Sequence, residues 1–113
     1  MNTTEKLDAD ELYHLALKAS EQGQHDEAIV FLKHSLHLQP DANTQYILAA
    51  EHAEIGMHQR AVEEMGKAIE LNPQLWTAYL QQGLLYMMLQ QADNALAAWE
   101  PLVERPDDDP LHW

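Results

Sequence analysis

The sequence predicts an all-α solenoid of three helix–turn–helix units, and three observations carry that prediction. The chain repeats itself at a spacing of about 33 residues: Ala9, Tyr13, Leu15, Ala16, Glu21, Gly23, His25, Ala28, Leu38 and Pro40 recur as Ala42, Tyr46, Leu48, Ala49, Glu54, Gly56, His58, Ala61, Leu71 and Pro73. Self-similarity at this period marks stacked repeats. Apolar residues inside each unit recur at three- and four-residue steps, the spacing of one helical face, and no segment alternates strictly as a half-buried strand does.

Six helices follow in order, at roughly 8–22, 26–38, 42–55, 59–71, 74–90 and 93–104. The first opens at Asp8, whose pairing with Glu11 three residues on reads as a capping box. It continues through Leu12, Leu15, Ala16 and Ala19 to the break at Gln22-Gly23-Gln24. The second carries Ala28, Ile29, Leu32, Ser35 and Leu36 and stops at Pro40, which lacks an amide proton and clashes with the preceding turn. The third and fourth repeat the design through Leu48, Ala49, Gly56, Ala61, Met65, Ala68 and Pro73. The fifth carries Tyr79, Gly83 and Tyr86, and the sixth carries Ala95 and Trp99. Pro101 falls inside the sixth, where a proline costs about 3 kcal/mol, so a kink or tightening is expected near Ala97–Pro101.

Composition bounds the function. The chain has 113 residues, 19 acidic against six basic side chains, a formal charge of −13, and no cysteine. One domain, or part of one in a longer solenoid, is expected. Such a charge repels nucleic acid and anionic membranes and favours solubility. Without cysteine there is no disulfide framework or thiolate chemistry. The polar start, Met1 to Asp8, lacks a signal-peptide stretch, and no run is long enough to span a bilayer. A cytoplasmic location is expected.

The third unit, from Asn72 to Tyr86, resembles the opening of a tetratricopeptide repeat (TPR), with Gly83 and Tyr86 at family spacing and Ala95 and Trp99 in the second helix. The first unit matches at Leu12, Leu15, Ala16, Ala28, Leu32, Ser35 and Pro40, and the second at Leu48, Ala49, Ala61, Met65, Ala68 and Pro73. The resemblance implies a right-handed superhelix with repeats at about 9–41, 42–75 and 76–107. A lead-in at 1–8 precedes them, and a tail at 108–113 resembles the start of a further repeat. Small residues (Ala16, Ala49, Gly83) let paired helices approach. Leu32, Met65 and Trp99 fill the space between units. Gln45, His52 and Gln82 depart from the family's apolar positions, so the second repeat is expected to pack least well.

The resemblance also implies a concave surface lined by the first helix of each unit. Its candidate partner groove comprises Asp10, Tyr13 and Leu17 from the first unit, Asn43, Tyr46 and Ala50 from the second, and Leu80, Leu84 and Met87 from the third. Tyrosine offers large contact area at low entropic cost, and methionine adapts to irregular partners. The implied role is a non-catalytic protein–protein interaction module with a protein or peptide partner and no cofactor. The alternatives are a self-associating scaffold, with a homodimer through the C-terminal helix, and a secretion-type chaperone for apolar client segments. The family's carboxylate clamp for heat-shock chaperone tails uses Lys, Asn and Arg at positions held here by Tyr13, Leu17, Ile47, Thr77 and Gln81, so that mode is not expected. His34 and His37 share a helix face but lack further ligands at metal spacing. No Gly-rich phosphate loop or activated nucleophile is present, and no enzyme is expected.

Overall fold

A computed structural model describes residues 6–106 of the chain. It contains six helices and, among the described residues, no strand: α1 (Ala9–Glu21), α2 (His25–Leu38), α3 (Ala42–Glu54), α4 (His58–Leu71), α5 (Trp76–Met88) and α6 (Ala92–Val103). Each helix packs chiefly on its neighbours in sequence, giving an elongated body of 53 × 31 × 21 Å.

Local chemistry sets the helix limits. Asp8 caps α1 with a complete capping box: its carboxylate accepts from the Glu11 amide at 2.8 Å, and Glu11 accepts from the Asp8 amide at 2.9 Å. Asp41 caps α3 by accepting from the Thr44 amide at 2.8 Å. The first helix of each unit ends in the same left-handed turn. Gly23 (φ 77°), Gly56 (φ 85°) and Gln90 (φ 61°) occupy equivalent places. The next amide reaches back to Ala19, His52 and Tyr86 respectively at 2.9 Å, the pattern of a Schellman cap. Gln90 adopts this conformation without glycine's freedom.

Two cores lie along the stack. Ala16, Ala19, Ala28, Ile29, Leu32 and Leu48 form one between the first and second units. Ala49, Ala61, Val62, Met65, Ala68, Ala78 and Leu85 form the other, between the second and third. The alanines allow close helix approach, and Leu32 and Met65 fill the remaining volume at almost no exposure. Gly83 serves the same end in α5, because Trp99 of α6 lies directly over it.

Three expectations are corrected. Helix α5 begins at Trp76, not 74, because Pro73 and Gln74 form a turn closed by the Asn72 carboxamide on the Gln74 amide at 3.1 Å. Helix α6 runs uninterrupted through Pro101, which stands two residues before its end. The tightening lies beyond the proline, where the Glu104 amide bonds to the Pro101 carbonyl at 3.2 Å. The polar departures of the second repeat are taken into its interior. Gln45 and His52 are buried, and Gln45 is held by donating Nε2–H to Glu64 Oε1.

Candidate functional site

Helices α1 and α3 are tied side by side. Asn43 donates Nδ2–H to the Tyr13 hydroxyl at 2.9 Å. About two turns further along, Ser20 donates its hydroxyl proton to Glu51 Oε2 at 2.6 Å. Helices α3 and α5 both contribute to the second core, through Ala49 on one and Ala78 and Leu85 on the other, and Tyr46 and Ala53 pack against that core. The first helices of the three units therefore share one face of the molecule.

The nine candidate residues fall into three groups along these helices. Asp10, Tyr13 and Asn43 line an open pocket of about 230 Å³. Ala9, Ser35, Gln39, Asp41 and Thr44 complete it, from α1, the end of α2 and the start of α3. These completing residues are not among the sequence candidates. Ser35, at a small-residue packing position, also donates its hydroxyl proton to the Ala9 carbonyl at 2.8 Å. Leu17 on α1 and Tyr46 and Ala50 on α3 are half-buried. Leu80, Leu84 and Met87 project from α5 with Met88, and all four are exposed, Met88 at 62%. Four large apolar side chains on one exposed helix face are more than the scattered apolar exposure of an ordinary surface. Asp10, Glu21 and Glu54 are exposed at positions bordering the face.

Beneath the face lies a buried polar junction. Glu51 is 5% exposed and is gripped on both oxygens, by Ser20 and by His25 Nδ1 at 2.7 Å. The hydrogen bond to Glu51 raises the His25 pKa above its ordinary value, with Glu51, Glu54 and Asp26 adding attraction. A second junction surrounds Glu64, which accepts from Gln45 and lies 3.5 Å from Arg60 Nε and 4.0 Å from Lys67 Nζ. His52 is buried, and its Nδ1 has no hydrogen-bond partner among the described residues. Burial lowers its pKa, against the attraction of Glu64. Among the described residues no three metal-ligating side chains converge, and no helix is long and apolar enough to cross a membrane.

None of Tyr13, Leu17, Ile47, Thr77 and Gln81 is cationic, and Ile47 packs against the first core. Arg105, just past α6, is buried, a placement its sequence context does not signal.

Comparison with known proteins agrees with this architecture. Sequence profiles described as tetratricopeptide repeat match residues 42–75 and 77–108, together more than half of the chain. No functionally curated protein matches it in sequence. Among solved structures, MamA superposes with a TM-score of 0.79 at 29% identity, covering 85% of this chain and 57% of MamA. YrrB, described as a TPR protein with an unusual peptide-binding site, superposes with a TM-score of 0.81 at 19% identity, covering 91% and 54%. The second TPR domain of Spaghetti (RPAP3), bound to an HSP90 peptide, gives 0.79 at 16% identity, covering 86% and 91%. The chain thus spans little more than half the length of MamA and YrrB. Helix order, repeat register and profile matches agree: the chain belongs to the tetratricopeptide-repeat family.

Proposed function

We propose that the chain is a non-catalytic protein-interaction module that holds a peptide or an amphipathic helix along the face built by α1, α3 and α5. The observation that carries this reading is the exposed apolar row Leu80, Leu84, Met87 and Met88, continued by half-buried Tyr46, Ala50, Leu17 and Tyr13. A helix laid in such a groove contributes apolar anchors every three or four residues. The acidic border at Asp10, Glu21 and Glu54 favours a partner with basic flanks, because complementary charge steers encounter and sets register. Two similar folds were solved or described with peptide sites, which supports peptide binding as the use of this fold. The Tyr13 hydroxyl, fixed by Asn43, offers a polar anchor at the end of the row.

The test is calorimetric titration with a designed 16-residue helix carrying Leu on one face and Lys at both ends, beside a scrambled peptide of equal composition. Tight binding of the first alone is expected. Leu84→Asp should weaken it at least tenfold, since a central anchor contributes about 2 kcal/mol. Leu84 is exposed, so this change leaves the fold intact. Equal binding of the scrambled peptide, or no effect of Leu84→Asp, would refute the assignment.

A further inference from the structure

We propose that copies of this chain stack head to tail, the α6 end of one seating on the α1 end of the next in the register of the repeat. The two ends of the body are unlike surfaces, and each exposes what the interior junctions bury. Leu96 on α6 holds the repeat position of Ile29 and Val62. Val62 is 4% exposed beneath the following unit, whereas Leu96 is 63% exposed. Val103 holds the position of Leu36 and Ile69, which pack against the two cores, yet it is 86% exposed. The α6 end is therefore the covering half of a repeat junction.

The α1 end is the other half. Leu15 is 37% exposed, while Leu48 at the same repeat position is 3% exposed beneath the preceding unit. Lys18 is exposed where Glu51 and Leu85 are buried. Around them lies an open hollow of about 380 Å³, lined by Leu7, Glu11, His14, Leu15 and Lys18. Its surface is mainly apolar, and it occupies the place that a preceding second helix takes in the other units.

Charge selects the occupant. Within the chain, Glu51 reaches back to the start of the preceding second helix, where it meets His25. Lys18 stands at the position of Glu51 and would reach the start of α6 in the preceding copy. There Asp93 stands at the position of Asp26, in the first turn of the helix. The α6 end also carries exposed Glu100 and Glu104, and the α1 end carries exposed Lys6 beside exposed Asp8 and Glu11. Apolar shape, repeat register and the pairing of Lys18 with Asp93 are all met by a second copy of this chain. Because the contact joins two different surfaces in the register of the repeat, each added copy continues the superhelix, and stacks lengthen with concentration. The face proposed for partner binding takes no part.

Sedimentation equilibrium of the full chain, from about 10 µM to 1 mM in 150 mM salt, tests this. The expected result is an average mass that rises steadily without a plateau at the dimer. A tail-blocked variant (Leu96→Glu with Val103→Glu) and a head-blocked variant (Leu15→Glu with Lys18→Glu) should each be monomeric. Their equimolar mixture should form a 1:1 dimer and nothing larger. The single changes Val103→Glu and Lys18→Glu, at exposed sites, should each weaken association at least tenfold with unchanged helical circular dichroism. A wild-type chain that stays monomeric to 1 mM overturns the proposal. So does a head-blocked variant that associates like wild type, which would indicate a symmetric α6 contact, and so does a mixture that fails to pair.

Discussion

Replacing either of two helical glycines by alanine should move stability in opposite directions. Gly83 lies in α5 under the Trp99 indole, and a methyl group there would overlap ring atoms Nε1, Cε2 and Cδ1. The ring is also held by its Nε1–H donating to the Leu80 carbonyl at 3.1 Å. Making room means swinging the ring away, which forfeits about 1 kcal/mol of hydrogen bond. Overpacking strain adds about 1–3 kcal/mol. Alanine's better helix propensity returns about 1 kcal/mol. The net expectation for Gly83→Ala is about 2 kcal/mol of destabilisation, from the balance of these terms. Gly66 lies in α4, where the nearest atom to an added methyl is Gln82 Nε2 at 3.6 Å, an ordinary contact. Gly66→Ala should therefore stabilise by about 1 kcal/mol. Urea unfolding followed by circular dichroism measures both, with a thermal shift of about 4–8 °C per kcal/mol in a domain of this size. A Gly83→Ala protein as stable as wild type would refute the packing of Trp99 on α5.

Two histidines should leave opposite pH signatures. The His25 pKa is raised in the fold by Glu51, so its stabilisation is full below about pH 6.5 and is lost as pH rises through the folded pKa. The stability difference between wild type and His25→Gln, from urea melts, should be larger at pH 6 than at pH 9. The His52 pKa is lowered by burial, so the unfolded chain takes its proton first, and stability falls as pH drops below about 6.5. His52→Leu also removes the unpartnered Nδ1, and should stabilise by about 1 kcal/mol at pH 8 and by more at pH 5.5. Gln90→Gly relieves a left-handed backbone and should stabilise by about 1 kcal/mol in the same assay.

The fold was legible because its determinants repeat. Ala16 and Ala49, Leu32 and Met65, and Pro40 and Pro73 solve the same packing problem a period apart, so each copy supports the reading of the other. The polar junctions were not legible in this way. Glu51 lies 31 residues from Ser20 and 26 from His25, and its counterpart in the third unit is Leu85. A residue that departs from the repeat can be read as a defect, as Gln45 and His52 were, unless its partner is known. Glu64, which satisfies Gln45, sits on the next helix and reads from the sequence as one more surface acid. Pro101 misled for a different reason. Its penalty is that of a helix interior, whereas α6 ends only two residues later.

The candidate face was legible in part. Helical spacing places Tyr13, Tyr46, Leu80 and Leu84 on the first helices, and the Asn43–Tyr13 hydrogen bond joins the first two of those helices. The pocket at its first-unit end was not legible, since Gln39 and Asp41 come from the turn between α2 and α3. The repeat pattern describes that turn only as the place where a helix stops.

The central claim is that the face of α1, α3 and α5 receives the partner. Titrating the designed Leu-faced helix into isotopically labelled protein and following methyl and aromatic resonances tests it most directly. The account predicts shifts in Leu80, Leu84, Met87, Tyr46 and Tyr13, with little change in the exposed residues of α2 and α4. Shifts confined to α2, α4 or the α6 end, with Leu84 and Met87 unmoved, would contradict it.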